Sequence, residues 1–490
     1  MKSIYLACVV TLILLTGIYG SHRTGSQPEN GKRPDIVIIF TDDQRHQTIH
    51  ALGNDETITP NMDRLVEQGM SFTRAHIMGG TSPAVCMPSR AMLMTGRTLF
   101  HLEKKGAYIP ETDTMMPQVF ASAGYQTYGI GKWHNGKSSY ARAFTGGGKI
   151  FFGGMSNHLA VPVFDFDSTG EYPPEKRYTG KKFSSELFAG EAVRFIHENH
   201  QGKPFFLYVA FTAPHDPRMA PAAFTALYPP DKIKIPENFM PGHPFDNGEL
   251  YIRDEKLAPW PRTPEIIQQN IAAYYAMITH LDKQIGRVLD ALEETGDARN
   301  TIIVFAGDNG LALGQHGLMG KQNIYDHSVR VPLIFTGPGI PENTRTDALC
   351  YLNDIYPTLC ELAGLPVPAT VEGKSLLPVI EDPAAKVRDE VFLAYRNFQR
   401  GLRTDDNWKV IRYNVNRHDT VQLFNLNEDP WEMKNLAPDP AYRDKLSALT
   451  DRLYEWMHRL DDPMDPDKPD WGKVKKKNPA DGNSPSAGKK

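Results

Sequence analysis

"DIVIIFTDDQ", Asp35 to Gln44, is an apolar, β-branched run that stops at two adjacent acids. It shows no alternation of polar and apolar residues, so it reads as a strand buried on both faces of a parallel sheet. "TIIVFAGDNG", Thr301 to Gly310, repeats the design, with Asp308-Asn309-Gly310 after the strand. "PFFLYVAFTAPH" (Pro204 to His215) and "VPLIFTGPG" (Val331 to Gly339) read as two more buried strands. From Ile266 to Glu294, apolar residues including Ile267, Ile271, Tyr274, Ile278 and Leu281 keep a 3.6-residue period, which predicts a long amphipathic helix. Strand, helix and strand in repetition predict an α/β sheet covered on both sides. Sites in such folds gather at the carboxyl ends of the strands, so Asp42, Asp43, His215, Asp308 and Asn309 should emerge at one edge.

Past about residue 380 the pattern changes. "EVFLAYRN", "GLRTDDNWKVIRYN" and "VQLFNLNEDP" are short strands separated by turn residues, and Ala441 to Leu460 carries Leu446, Leu449, Leu453, Trp456 and Leu460 on one helical side. The expectation is a small antiparallel sheet backed by a helix. Residues 145–180, rich in glycine and aromatics, and 228–264, rich in proline, read as irregular loops that form a pocket. The Pro-, Asp- and Lys-rich end, from Asp461 onward, reads as a tail without structure.

At the other end, Lys2 precedes an apolar run from Ile4 to Ile18, and small residues follow at Gly20 and Ser21. That is the order of a secretory signal peptide, about 15 apolar residues being short against roughly 20 for a span. An uncleaved anchor is the alternative, since Ile18 is a poor residue for the cleavage site. Cys8 lies too early in the run to carry a lipid. The chain of 490 residues therefore divides into a signal peptide at 1–21, an α/β domain at 33–380, a small sheet and helix at 381–462, and the tail at 463–490. An exported protein, periplasmic or secreted, is expected, with no stable membrane partner. No N-x-S/T sequon with permitted neighbours occurs, which points to a bacterial envelope. The formal charge of −4 and the lack of a basic stripe give no sign of a nucleic-acid partner.

Asp42, Asp43, Asp308 and Asn309 offer only oxygen, which suits a hard ion such as Ca²⁺ or Mg²⁺. A single Asp pair after a strand is equally well a helix cap; two such strand ends favour a metal. After the signal, three cysteines remain, an odd number. Cys360, among Leu359 and Leu362, reads as a small buried hydrophobe, and Cys350 as similar. Cys86 is different. It lacks partners at zinc spacing, and as a nucleophile it needs a base and an electropositive setting, which Arg90, Lys132 and His134 are able to supply.

The run Cys86-Met87-Pro88-Ser89-Arg90, followed after four residues by Thr95-Gly96-Arg97, resembles the signature of the formylglycine-dependent sulfatases, in which the cysteine becomes an aldehyde (3-oxoalanine). The resemblance runs from the Asp42-Asp43 strand through the Trp431 region, with the motifs in the family's order. It implies an alkaline-phosphatase-like fold: a mixed, mostly parallel sheet flanked by helices, with a smaller C-terminal antiparallel sheet and helix. It also implies one calcium ion, in preference to magnesium, held by Asp42, Asp43, Asp308, Asn309 and the modified Cys86, and a formylglycine-generating enzyme as a maturation partner. The hydrated aldehyde offers one hydroxyl to attack sulfur and a second to expel sulfate. Arg90 and Lys132 would assist the first step, His215 and Lys321 would face the sulfate ester with His215 as general acid, and His134 would be the base of the second.

Hydrolysis of a sulfated carbohydrate, such as a glycosaminoglycan, mucin or algal glycan fragment, is the expected function. An aryl or choline sulfate, and a phosphoester or phosphonate substrate of the same superfamily, are the alternatives. A non-catalytic binding protein would have lost catalytic groups, and none is missing. His158, in the irregular "GGMSNHLAV" segment, is a further candidate for substrate contact, whereas His280, His316 and His327 have no such support.

Overall fold

The computed structural model describes residues 32–199, 202–464 and 471. The expected signal peptide and nearly all of the expected tail lie outside them. Eight strands form the main sheet: β1 (Asp35–Thr41), β2 (Gly69–Phe72), β3 (Gln126–Lys132), β4 (Gly146–Phe151), β5 (Phe205–Ala210), β6 (Thr301–Gly307), β7 (Leu333–Thr336) and β8 (Thr344–Thr346), in the order β8-β2-β7-β6-β1-β5-β3-β4. All neighbours are parallel except β7, which runs antiparallel to both β6 and β2.

The unalternating composition of β1 is explained by its place at the centre. Ile36, Ile38 and Phe40 face one core, with Phe120, Tyr208 and Tyr356. Val37 and Ile39 face the other, with Phe188, Ile278 and Leu281. Burying each such side chain contributes about 1.5–3 kcal/mol, which makes a fully apolar strand stable only between two covering layers.

The helix α1 (Cys86–Thr95) packs in the first layer and ends at Gly96, whose φ of 69° closes it in a left-handed turn. The second layer is α2 (Ser184–Asn199) and α3 (Pro264–Thr295), which extends the expected helix by a residue or two at each end. Thr263 caps α3, its side chain accepting from the backbone N–H of Ile266.

The smaller sheet is β9 (Glu390–Tyr395), β10 (Gln399–Thr404), β11 (Trp408–Val415) and β12 (His418–Asn425), antiparallel throughout, with α4 (Arg443–Arg459) behind it. Its core joins Phe392, Leu402, Val410 and Leu423 to Leu449, Leu453 and Met457.

The structure departs from the sequence reading in three places. Residues 145–180 are not wholly irregular, because Gly146–Phe151 forms the edge strand β4, paired in parallel with β3. The small sheet is not built from C-terminal residues alone: Gly79–Gly80, shortly before Cys86, pairs in parallel with β9. The C-terminal end is partly ordered, since the buried Asp462 carboxylate takes two donors of the buried Arg400, and Trp471 is buried with Arg412 over its ring.

Candidate active site

The carboxyl ends of β1, β3, β5 and β6 meet the first turn of α1 at one place. Asp42 and Asp43 follow β1, Lys132 ends β3, His215 follows β5, and Asp308 and Asn309 follow β6. Cys86 is the first residue of α1, where the helix dipole favours negative charge. Asp43 and His134 both hold left-handed backbone (φ 64° and 70°), each turning its chain sharply at a strand end. Gly310 completes the Asp-Asn-Gly turn because a Cβ there would stand 2.2 Å from the His327 carbonyl oxygen.

Every residue expected to be catalytic or to hold the metal converges here, and all but the half-buried His134 are buried. Lys132 Nζ donates to Asp42 Oδ2 at 2.5 Å and lies 3.4 Å from Cys86 Sγ. His134 Nδ1 is also 3.4 Å from that sulfur. Lys321 Nζ and Asn309 Nδ2 both donate to Asp43 Oδ1, at 2.6 and 2.7 Å. His215 Nε2 stands 3.6 Å from Asp43 Oδ2. The Asp308 carboxylate accepts the Asp43 N–H on Oδ1 (2.9 Å) and Arg90 Nε on Oδ2 (3.0 Å), with a terminal nitrogen of Arg90 in ion-pair contact with the same oxygen.

The electrostatics follow from burial and these partners. Burial opposes ionisation of Asp43, but the neighbouring His215 and Lys321 outweigh it and hold its carboxyl low. Burial raises the Asp308 carboxyl to about 6, with Asp42 adding to the effect and Arg90 opposing it. Burial, then the charges of Lys132 and Arg90, depress His134 to about 3, so its imidazole is neutral. Burial also lowers His215, against the pull of Asp43.

A cation fits this donor set. Oxygen atoms of Asp42 and Asp308 and the sulfur of Cys86 lie within 4.8 Å of one another. Asp42 Oδ1 and Asn309 Oδ1 are buried and have no hydrogen-bond partner among the described residues. Buried oxygens of this kind carry a desolvation cost that a metal ion would offset, and oxygen ligands suit a hard divalent one.

A cavity of about 260 Å³ opens onto Cys86, His134, His215 and Lys321, with Arg253 and Gln322 on its wall. Met155, Ile252, Arg253 and Asp254 come from the two segments expected to form pocket loops, though composition singled out none of them individually. His158, considered for substrate contact, is not on this wall: it is buried, Nδ1 against Ser184 Oγ (2.6 Å) and Nε2 against the His215 carbonyl (2.9 Å). His280 packs between Phe183 and Phe224, and His316 stacks on Tyr325. Tyr274, which the periodicity of α3 marked only as core, donates its hydroxyl to the Asp43 carbonyl (2.6 Å).

The model of the Sulfatase family matches residues 34–365, which hold every one of these groups. The chain belongs to the sulfatase family. As a sulfatase it is an enzyme that hydrolyses sulfate esters. A second model, N-sulphoglucosamine sulphohydrolase, C-terminal, matches residues 314–459. This sulfatase is 26% identical to an N-acetylglucosamine-6-O-sulfatase of Bacteroides thetaiotaomicron, over 90% of this chain and 89% of the relative. It is likewise 26% identical to an ulvan-active sulfatase of Formosa agariphila, over 93% and 87%. Among solved structures, a protein in complex with its substrate D-glucosamine-2-N,6-O-disulfate superposes with a TM-score of 0.76 at 25% identity, covering 89% of this chain and all of that one. A phosphonate monoester hydrolase of Agrobacterium radiobacter, at 21% identity and a TM-score of 0.69 over 87% and 96%, shares the fold.

Proposed function

We propose that this sulfatase removes O-sulfate from a sulfated carbohydrate, such as a glycosaminoglycan, mucin or algal glycan fragment. In this reading Cys86 is matured to formylglycine by a generating enzyme, and one calcium ion is held by Asp42, Asp43, Asp308, Asn309 and residue 86. The observation that carries the reading is the setting of Cys86. It opens into the cavity between Lys132 and His134, beside a cluster of buried carboxylates with unpartnered oxygens. The ion and the aldehyde, when present, supply a Lewis acid for the sulfate and a hydroxyl nucleophile.

This chain's own residues then have distinct work. Lys132 faces residue 86 and Asp42 together, and so favours negative charge on the attacking atom. Arg90 holds Asp308 in place. The neutral His134 accepts a proton at Nδ1, its atom nearest residue 86. His215 and Lys321 line the cavity beyond, where His215 would protonate the leaving alcohol and Lys321 would neutralise sulfate oxygens. The carboxylates of Asp42, Asp43 and Asp308 are matched by Arg90, Lys132 and Lys321. A divalent ion would therefore leave the site positive, as an anionic ester requires.

A carbohydrate is supported at the rim and by the relatives. Tyr251, next in the chain to the wall residue Ile252, is 78% exposed and lies 6.2 Å from the Trp260 ring, itself 42% exposed. Exposed aromatic faces of this kind suit sugar rings. The N-acetylglucosamine-6-O-sulfatase and the ulvan-active sulfatase are named for sulfated glycans. Export to the periplasm or outside the cell is part of the same reading. Among the described residues no helix is long and apolar enough to cross a membrane.

The test is sulfate release from sulfated sugars, with phosphate and phosphonate esters alongside and calcium present. Release from a sulfated sugar well above any phosphonate turnover is expected. Preference for the phosphonate ester would overturn the reading.

A further inference from the structure

Arg45, two residues beyond Asp43, is 3% exposed, yet its guanidinium has no hydrogen-bond or ion-pair partner among the described residues. Its one contact of note is the Tyr274 ring, 5.5 Å away. Nε is buried without a partner, the rest of the guanidinium lines a cavity, and a cation this little exposed is ordinarily paired in a folded protein. His46, the next residue, has both ring nitrogens buried and unpartnered.

Both residues line a cavity of about 390 Å³ whose wall also includes Gln47, Asn54, Arg330 and Trp431. None of its lining residues is shared with the cavity at Cys86. The acids nearby do not serve Arg45. Asp55 and Glu56 are engaged with Lys234, by its ammonium and its backbone N–H, and Glu237 is exposed. Asp326 is committed to Arg403 and Lys409 and stands 4.0 Å from Arg330.

We propose that this cavity is a second oxyanion site, taking a sulfate or phosphate group on Arg45, Arg330 and His46. Arg45 supplies the forked donors that fit a tetrahedral oxyanion, and a neutral His46 adds one N–H. The group arrives either as the free anion or carried on a sugar, for which the cavity has room. Its occupancy is coupled to the catalytic centre by one side chain: the Tyr274 hydroxyl accepts from the Arg45 N–H (3.0 Å) and donates to the Asp43 carbonyl (2.6 Å).

The experiment is calorimetric and thermal titration with inorganic sulfate, inorganic phosphate and a sulfated oligosaccharide, at constant ionic strength set by chloride. The Lys321→Ala enzyme removes binding at the catalytic cavity from the signal. In that background one saturable oxyanion class should remain, and adding Arg45→Met should weaken it at least tenfold. Because the guanidinium is unpaired, Arg45→Met alone should unfold no earlier than wild type in sulfate-free buffer. Stronger binding of the oligosaccharide than of both free ions identifies a sugar-borne group, and equal binding identifies the free anion. Hydrogen exchange of the wild-type enzyme should show sulfate-dependent protection in peptides covering 44–47 and 330. Loss of all oxyanion binding in Lys321→Ala, or protection confined to the Cys86 cavity, would overturn the proposal while leaving the sulfatase reading untouched.

Discussion

Arg90 and Asp308, 218 residues apart in the chain, are joined by a hydrogen bond from Nε to Asp308 Oδ2 at 3.0 Å and an ion-pair contact of a terminal nitrogen 2.8 Å from the same oxygen. The pair ties α1, and with it Cys86, to the end of β6. Both side chains are fully buried, so removing one strands the other's charge. Arg90→Met should cost about 3–5 kcal/mol in urea unfolding and abolish measurable turnover. An unchanged midpoint would show that the pair does not hold the site together.

Cys86→Ala leaves a small side chain at a buried position with neither a thiol nor a hydroxyl to convert to the aldehyde. The variant should unfold within about 1 kcal/mol of wild type, with kcat reduced by a factor on the order of 10³ or more. Retained turnover in Cys86→Ala would move the nucleophile elsewhere.

Metal removal should act on stability as well as on rate. An ion on the unpartnered oxygens of Asp42 and Asn309 would stabilise them only in the folded state. Chelation should therefore lower Tm, and calcium added at about 100 times its Kd should restore about 2.7 kcal/mol. A Tm indifferent to both chelator and calcium would argue against a resident ion.

Asp35, at the start of β1, makes stability depend on pH. Burial pushes its carboxyl up to about 7, against the Phe205 N–H that it accepts at 2.7 Å. The folded state thus holds this proton more tightly than the unfolded chain. The contribution is full below about pH 4 and is lost as the pH rises to about 7. Asp35→Asn cannot ionise, so its Tm relative to wild type should rise between pH 5 and pH 8. A constant difference across that range would refute the assignment.

Lys409 sits at the seam between the small sheet and the main body. It is fully buried and bonds Asp326 at 2.8 Å and Glu432 at 2.6 Å. Lys409→Met should destabilise by about 3 kcal/mol, because the buried Glu432 carboxylate loses its cation and Asp326 is left with Arg403. Denaturant unfolding checks it.

The strands that place the site were legible because β1, β5 and β6 are buried on both faces and hence apolar without alternation. The same composition hid the direction of β7, since an apolar run of four residues reads alike in parallel and antiparallel pairing. The edge strand β4 looks like loop in the sequence because "GGGK" offers no β-branched side chain, and its pairing with β3 is backbone chemistry. The small sheet's fifth strand, Gly79–Gly80, is two glycines long and leaves no pattern at all.

At the site, the residue types and their strand-end positions carried the assignment, so Asp42, Asp308, Lys132 and His215 were found together. What sequence withheld was orientation. His158 faces the His215 backbone, and the Tyr274 hydroxyl bridges the backbones of Asp43 and Arg45. The missing partner of Arg45 is a fact of three-dimensional placement, invisible in a run that reads simply as "DDQRH".

The central claim is that residue 86 works as formylglycine, and the mass of the tryptic peptide Ala75 to Arg90 tests it most directly. Enzyme purified from its native host should show this peptide about 18 Da lighter than the cysteine form, the loss expected for conversion of thiol to aldehyde. An active preparation whose peptide carries unmodified cysteine throughout would contradict the account.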